Sequence, residues 1–240
     1  MGFLVPFVVR EAVDEAAESA DVVEFFYGDP TAELVRLAGA RDARVGWPVG
    51  SAEEAAGAVD AGCDYVVVQG TEAGGHVRGM QPLDDVLADT LDRVDVPVVA
   101  AGGIGTRDRL AALLAGGASA VRVGTRFVAA EESNAHPEYI ARLIAATAQD
   151  TVITEAFGAN WPNAPHRVLR TAVTAAERLG DGAIAVAGSQ EIGRFHSMPP
   201  TRQVRGEIAA MALYAGESVD AVTAVQPAHA IVAELTAAAP

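Results

Sequence analysis

The sequence predicts an α/β fold in which parallel strands alternate with helices, and three observations indicate it. Short apolar runs rich in β-branched residues recur along the first half of the chain, as expected of strands buried on both faces. Segments of helical character separate these runs, and each strand–helix unit takes roughly 20 to 30 residues. Glycines also follow two successive strands directly, at Gly102 and at Gly124. Such alternation predicts a parallel sheet with right-handed crossovers.

Six strands of this kind are predicted. They are Phe3–Val9, Val22–Tyr27, Val45–Val49, Asp64–Gln69, Val96–Ala101 and Ala120–Val123. A closed (β/α)8 barrel has eight strands. The sequence therefore shows a (β/α)8-type sheet that is shortened to about six strands.

Helix-start signals separate the predicted strands. Ser51 and Glu54 match a capping box, in which the two residues satisfy each other's backbone N–H groups. Asp29–Pro30 predicts a helix with aspartate as the cap and proline at the first position. Thr106 is expected to cap a helix with Leu110, Leu113 and Leu114 on its apolar face. The other helices expected in this half are Glu11–Ala20 and one marked by Leu83, Val86, Leu87 and Leu91.

The pattern changes after Phe127. Helices are expected over Glu138–Ala148, His166–Leu179, Gln203–Tyr214 and Pro227–Ala238, a short extended piece over Asp150–Thr154, and loops over Asn160–Pro165 and Gly180–Pro200. We therefore expect a partial β/α barrel in residues 1–130 and a helical region in residues 131–240 that packs on it.

Composition excludes several classes of partner. The 240 residues include 32 acidic and 17 basic side chains, for a net charge of −15. This balance argues against binding to nucleic acid or to anionic membrane surfaces, since both require a basic patch. No apolar run approaches the roughly 20 residues that span a bilayer. The N-terminus also lacks the pattern of a signal peptide.

Cysteine and histidine usage limits the chemistry further. Cys63 is the single cysteine, so neither an intrachain disulfide nor a Cys-x-x-Cys metal site can form. No two histidines have metal-ligand spacing, and we expect no metal. A reducing, cytoplasmic setting is the default expectation for such a chain.

Two glycine turns predict a phosphate site. Gly102 and Gly103 follow one strand, and Gly124 and Thr125 follow the next. Parallel neighbouring strands present these turns at the same end of the sheet. Glycine lacks a Cβ, so the backbone N–H groups of such turns can surround a dianion. In (β/α)8 barrels a phosphate commonly lies after the seventh and eighth strands.

The loop after Gln69 carries the candidate for proton transfer. It contains Glu72, Gly74, Gly75 and His76, and it should lie at the same end of the sheet as the two glycine turns. Histidine is the side chain best suited to take or give a proton near neutral pH. His76 is therefore the candidate catalytic base. The other histidines lack such a context, although His136 is placed to cap a helix.

Three segments then resemble a known family. QGTEAGGHVRG, VPVVAAGGIGT and VRVGTRFVAAEES are similar to the nitronate monooxygenases, formerly called 2-nitropropane dioxygenases. These are FMN-dependent (β/α)8 barrels related to flavin-dependent enoyl-acyl-carrier-protein reductases. Ala210–Ser218 is similar to the family's C-terminal helix near the active site. The resemblance covers nearly the whole chain.

The resemblance implies a cofactor, a reaction and roles for residues. FMN would be the cofactor, and a nitronate or nitroalkane and O2 would be the substrates. An alkyl nitronate would give one electron to FMN, and oxygen would complete its breakdown to a carbonyl compound and nitrite. His76 would abstract the proton of neutral nitroalkanes. Gln69, Ala73 and Gly75 would lie along the flavin, and Gly102, Gly103, Gly124 and Thr125 would hold its phosphate.

The chain departs from the family at its start. The family opens with a strand that carries a Pro-Met-Ala-Gly-like turn under the flavin, and Phe3–Val9 aligns best with the family's third strand. Pro48-Val49-Gly50 also stands where some members have a lysine or another polar group. Missing strands would leave two edges of the sheet without a neighbour, which favours association into a homo-oligomer. Two alternative functions remain open: a reductase of enoyl thioesters that uses NAD(P)H, and a flavin-free, non-catalytic remnant.

Overall fold

A computed structural model describes residues 1–237. The strands are β1 (Gly2–Leu4), β2 (Val22–Phe26), β3 (Arg44–Val49), β4 (Tyr65–Gln69), β5 (Gly75–His76), β6 (Val98–Ala101), β7 (Ala120–Arg122), β8 (Thr151–Thr154), β9 (His166–Leu169), β10 (Ala183–Ala187), β11 (Gln190–Gly193) and β12 (Val204–Gly206). The α-helices are α1 (Arg10–Ser19), α2 (Ala32–Ala38), α3 (Ala52–Asp60), α4 (Leu83–Leu91), α5 (Arg107–Ala115), α6 (Thr125–Val128), α7 (Pro137–Ile144), α8 (Arg170–Glu177) and α9 (Ala228–Thr236).

The chain divides into two compact units. The first comprises Met1–Thr71, Arg78–Ala101 and Ala112–Arg122, and the second comprises Glu72–Val77, Gly102–Ala111 and the chain from Val123 onward. The first unit contains one six-stranded sheet in the order β1-β2-β3-β4-β6-β7, and every adjacent pair is parallel. The six strands predicted from the sequence are confirmed.

Side chains that meet across the sheet show that it curls. Glu24 on β2 forms an ion pair with Arg122 on β7, although three strands separate β2 from β7 in the sheet. Tyr65 on β4 also donates its hydroxyl to Glu24 Oε1, at 2.7 Å. Strands four positions apart lie opposite each other in an eight-stranded barrel. The six strands thus have the curvature of a (β/α)8 barrel.

Apolar side chains on the other face of this sheet pack under the helices. Phe25 and Trp47 are fully buried, with ring centroids 5.2 Å apart. The inner face of α1 contributes Val13, Ala16 and Ala17, which are also buried. The central strands β3, β4 and β6 are buried along most of their length, whereas β1, β2 and β7 are partly exposed.

The second unit contains two three-stranded antiparallel sheets. One has the order β5-β9-β8, and the other has the order β11-β10-β12. Neither sheet was predicted. The helical predictions over 166–179 and 203–214 and the loop prediction over 180–200 are therefore wrong in part.

Each of these errors has a physical cause. All four residues of β9 are buried and pair with β5 on one side and β8 on the other. Those partners are distant in sequence. The spacing of apolar residues in α8 continues into β9, so the local pattern predicted that the helix begins at His166. On β12, Gly206 has φ +130°, and a Cβ there would collide with the carbonyl oxygen of Ile184. Glycine adopts this positive φ at little cost and allows β12 to approach β10 closely. A right-handed helix requires a negative φ, so residue 206 cannot be helical.

Several helix boundaries also differ from the predictions. Thr31, rather than Asp29, is the N-cap of α2, and its hydroxyl accepts from the Leu34 N–H. Ser51 caps α3 as expected, but the carboxylate of Glu54 accepts from the Gly50 N–H instead of completing a capping box. The first strand ends at Leu4, where a 3-10 turn that contains Pro6 begins.

One apolar residue expected to face inward is exposed. Leu114 on α5 is 42% exposed, whereas Leu113 on the same helix is buried. The cap of α5 by Thr106 and the cap of α7 by His136 are confirmed. The predicted end of the last helix, Ala238, lies outside the described residues. None of the helices within residues 1–237 is long and apolar enough to cross a bilayer.

Candidate functional site

His76 lies on the two-residue strand β5. Gly75 pairs with Arg167 and His76 pairs with His166, both on β9, and the Val77 N–H donates to the Pro165 carbonyl at 2.9 Å. Gly75 has φ +78°, a left-handed conformation that glycine adopts at little cost. The antiparallel pairing therefore holds the predicted base on a sheet rather than on a free loop.

Aromatic rings surround the imidazole of His76. It stacks on Trp161 with ring centroids 4.0 Å apart and planes inclined by 26°. The rings of His166 and Tyr214 lie 5.3 Å and 5.6 Å away. Burial, and to a lesser extent the nearby His166, lowers the pKa of His76 from 6.5 to about 4. The ring is therefore neutral at pH 7 and able to accept a proton.

His166 is a site residue that sequence reasoning missed. Its side chain is fully buried, and burial lowers its pKa. Its Nε2 accepts from the Phe157 N–H at 3.2 Å, and its Nδ1 lies 2.8 Å from the Ala164 carbonyl oxygen. The sequence contains no local signal for this arrangement, because β9 pairs with strands far away in the chain.

The two predicted glycine turns differ in their backbone conformation. Gly102 and Gly103, after β6, have φ +120° and +63°. Gly124, after β7, is the N-cap of α6, and a Cβ built on it would meet no atom within 4 Å. Thr125 is buried, and its hydroxyl accepts from the Gly216 N–H at 3.0 Å. The second turn therefore has open space beside it.

The short segment Ala215–Ser218 joins these elements. The Glu217 N–H donates to the Glu72 carbonyl at 2.9 Å, and a Cβ on Gly74 would collide with the Gly216 backbone. A Cβ on Gly105 would lie 2.9 Å from Ser218 Cβ. The His76 loop and both glycine turns therefore pack against the same four residues, within one unit.

A cavity of about 270 Å³ lies beside the first glycine turn. It is lined by Gly103, Gly105 and Thr106 and by the carboxylate-bearing Glu217 and Asp220, among others. Carboxylates disfavour a phosphate in this cavity. The open side of Gly124 is the better position for an anion.

The remaining predicted residues divide between the units. Ala73 is buried within the His76 loop. Gln69 belongs to the first unit, where its Oε1 accepts from the Arg78 N–H at 3.1 Å. It also lines a cavity of about 290 Å³ with Glu24 and Arg122. No cluster of three or more His, Cys, Asp or Glu side chains within residues 1–237 is placed to hold a metal ion.

Comparison with known proteins then identifies the family. The sequence model of the nitronate monooxygenases matches residues 5–238. A curated relative from Rhodococcus jostii, (3aS,4S,5R,7aS)-5-hydroxy-7a-methyl-1-oxo-octahydro-1H-indene-4-carboxyl-CoA dehydrogenase, is 37% identical over 186 residues, which are 75% of this chain and 50% of the relative. The chain spans half or less of the length of the curated relatives it matches.

Two solved structures share the fold over almost the whole chain. FabK from Thermotoga maritima has a TM-score of 0.76 at 27% identity, over 98% of this chain and 71% of FabK. A nitroalkane oxidase from Streptomyces ansochromogenes has a TM-score of 0.69 at 27% identity, over 94% of this chain and 66% of the oxidase. Given the family match over 5–238, this chain belongs to the nitronate monooxygenase family.

Proposed function

We propose that this chain carries the base and the cofactor-phosphate site of an FMN-dependent oxidoreductase that oxidises alkyl nitronates or nitroalkanes with O2. One observation carries the proposal. The neutral imidazole of His76 and two glycine turns pack against one segment, Ala215–Ser218. This arrangement would join a group suited to accept a proton to glycine turns suited to hold an anion. The family match and the fold shared with a nitroalkane oxidase support the choice of substrate.

The residues of the second unit fit a flavin mononucleotide. Gly102, Gly103 and Gly124 would hold the phosphate through backbone N–H groups, on the side where Gly124 is open. A Cβ built on Gly75 would also meet no atom within 4 Å, so small residues beside His76 leave room for a flat ring. FMN, when bound, would supply the one-electron acceptor for the nitronate, whose reaction with O2 gives a carbonyl compound and nitrite.

His76 would perform the proton transfer. A neutral nitroalkane loses the proton on the carbon that bears the nitro group, and the imidazole accepts this proton to leave the nitronate. A base must be unprotonated to act, and a pKa of about 4 keeps His76 in that form over the physiological range. The stacked Trp161 indole fixes the plane of the ring.

His76→Asn tests this role. We expect the variant to bind FMN as wild type does but to turn over a neutral nitroalkane at least about 100-fold more slowly. Turnover of a nitronate prepared in advance should change little, because that substrate has already lost its proton. O2 consumption measures both rates. His229→Asn, the same change at an exposed position on α9, is the matched control. Equal losses on both substrates, or no loss, would contradict the assignment.

A second function has one observation in its favour. The Rhodococcus relative carries the name of a dehydrogenase of a carboxyl-CoA compound. A reductase or dehydrogenase of thioesters would exchange electrons with a nicotinamide cofactor. Rapid anaerobic bleaching of bound flavin by NADH would support this alternative, and slow bleaching with fast nitronate turnover would exclude it. Failure of the chain to bind added FMN would contradict both proposals and favour a non-catalytic remnant.

We also propose that the edges of the six-stranded sheet mediate self-association. β1 and β7 end the sheet, and the apolar residues Leu4, Phe7 and Val9 near the first edge are 38% to 57% exposed. Parallel strand edges with apolar side chains beside them favour pairing with another chain.

A further inference from the structure

The loop between β8 and β9 is closed by a single imidazole. The His166 ring accepts from the N–H of Phe157 and contacts the carbonyl oxygen of Ala164, two residues that lie seven positions apart. Both contacts are within hydrogen-bond distance. One buried ring therefore joins the two ends of the segment 157–164.

These contacts fix the tautomer of His166. Nε2 accepts a hydrogen bond from a backbone N–H, so it carries no proton. Nδ1 faces a carbonyl oxygen, which only accepts, so the ring proton is on Nδ1. The ring is neutral with both nitrogens in use, as a fully buried polar group requires.

Segment 157–164 contains Trp161, whose indole stacks on His76. Trp161 lies at its middle and is 8% exposed. The segment also forms hydrogen bonds with residues that follow β11. The Ala159 N–H donates to the Phe195 carbonyl at 3.1 Å, and the Ser197 N–H donates to Asn160 Oδ1 at 2.9 Å. Phe195 itself has φ +62°, an uncommon backbone conformation outside glycine.

We propose that His166 is a positioning residue for His76, because its ring joins Phe157 to Ala164 and thereby holds the Trp161 indole against the His76 imidazole. His166 acts through Trp161 and does not itself touch substrate. The inference rests on the proposed role of His76 as the base. It explains why a buried histidine stands opposite the candidate base on the neighbouring strand.

The stacking has a consequence for proton transfer. An imidazole held in one plane presents its lone pair in one direction, whereas a ring that rotates presents it correctly for part of the time. Trp161 also covers one face of the imidazole, and burial lowers the pKa of His76. Release of the indole should therefore slow proton abstraction and leave reactions of an already formed nitronate unaffected.

A pair of substitutions at His166 separates its two hydrogen bonds. An asparagine side chain reaches the position of Nδ1 and loses the acceptor for the Phe157 N–H, whereas a glutamine side chain reaches the position of Nε2 and retains an acceptor there. Each variant therefore releases one end of the segment, and we expect acrylamide quenching of tryptophan fluorescence to rise at least about threefold in both His166→Asn and His166→Gln. Trp161→Phe identifies the signal, because Trp47 is fully buried. His229→Asn is the control for an exposed histidine.

Turnover provides the second readout, with FMN bound. We expect His166→Asn to lower kcat on a neutral nitroalkane about tenfold, to leave kcat on a preformed nitronate near wild type, and to add nothing further in a Trp161→Ala background. Additive effects of the two substitutions would overturn the proposal, as would unchanged quenching in His166→Asn. If His166→Asn does not fold, unchanged quenching in His166→Gln would also overturn it. The quenching result does not depend on turnover, so it remains decisive if His76→Asn shows that the proposed base is wrong.

Discussion

Burial of His76 links its protonation to folding. The pKa of the ring is about 4 in the folded protein and 6.5 when it is unperturbed. Between these values the unfolded chain binds a proton that the folded chain does not. The contribution of His76 to the free energy of unfolding is therefore fully present above pH 6.5, and it is lost as the pH falls towards 4.

The pH dependence of unfolding tests this linkage. We expect the urea midpoint to fall as the pH is lowered from 6.5 to 4, and His76→Gln to remove much of that fall because glutamine does not titrate. Carboxylates contribute to the slope in both proteins, so the difference between the two curves is the quantity to measure. Parallel curves would show that His76 has an ordinary pKa.

A substitution at Gly124 tests cofactor binding with little effect on folding. Its backbone has φ −112°, which any residue adopts, and the space beside it is open. We expect Gly124→Ala to leave the free energy of unfolding within about 0.5 kcal/mol. The added methyl group would occupy space needed by the phosphate, so the Kd for FMN should rise about tenfold or more.

Gly57→Ala is the matched control for this experiment. Gly57 lies within α3 and also has open space around it, far along the chain from either glycine turn. Alanine there should increase stability by up to about 1 kcal/mol and leave flavin titrations unchanged. Equal FMN affinity in both variants would place the phosphate elsewhere.

Helix α9 depends on a buried arginine. The side chain of Arg126, on α6, is 5% exposed. It donates to the Gly105 carbonyl at 3.0 Å, to Gln226 Oε1 at 3.0 Å and to Glu234 Oε2 at 2.7 Å. One guanidinium therefore ties the first glycine turn to the last helix.

Arg126→Met should release that helix. Methionine keeps the apolar part of the side chain and loses four hydrogen bonds, two of them to the Glu234 carboxylate, so we expect a loss of about 2 kcal/mol. Glu234 is half exposed, so water can solvate its carboxylate after the change. Hydrogen exchange should increase most in α9. Arg142→Met, which removes an exposed pair with Glu138, should cost less than about 0.5 kcal/mol. Equal exchange in the two variants would contradict the anchoring role.

The six-stranded sheet as a whole predicts association. Its curvature corresponds to eight strands, yet it ends at β1 and β7. We expect light scattering of this 240-residue chain to give a mass above 24.6 kDa. Phe7→Glu, at a 53% exposed position near β1, should shift the mass towards the monomer. Met80→Glu changes an exposed methionine outside the strands and should not. A monomer at all concentrations would refute self-association.

Local sequence was sufficient for the parallel sheet and for the two glycine turns. Each strand of that sheet is a short apolar run, and each turn is marked by glycines, so residues close in the chain carry the signal. His76 was predicted for the same reason, since its loop directly follows β4. The cap at Thr106 depends on residues three positions apart and was also predictable.

The partners of His76 depended on tertiary structure. Trp161, His166 and Tyr214 are 85 to 138 positions away, and their rings meet His76 because β5 and β9 pair across that distance. Spacing alone favoured a helix at His166, because the apolar pattern of α8 continues into the strand. Residues 166–169 instead form strand β9, because they hydrogen-bond to distant strands and all four are buried. Local patterns thus determined which residues turn and which are apolar, and long-range pairing determined what surrounds the candidate base.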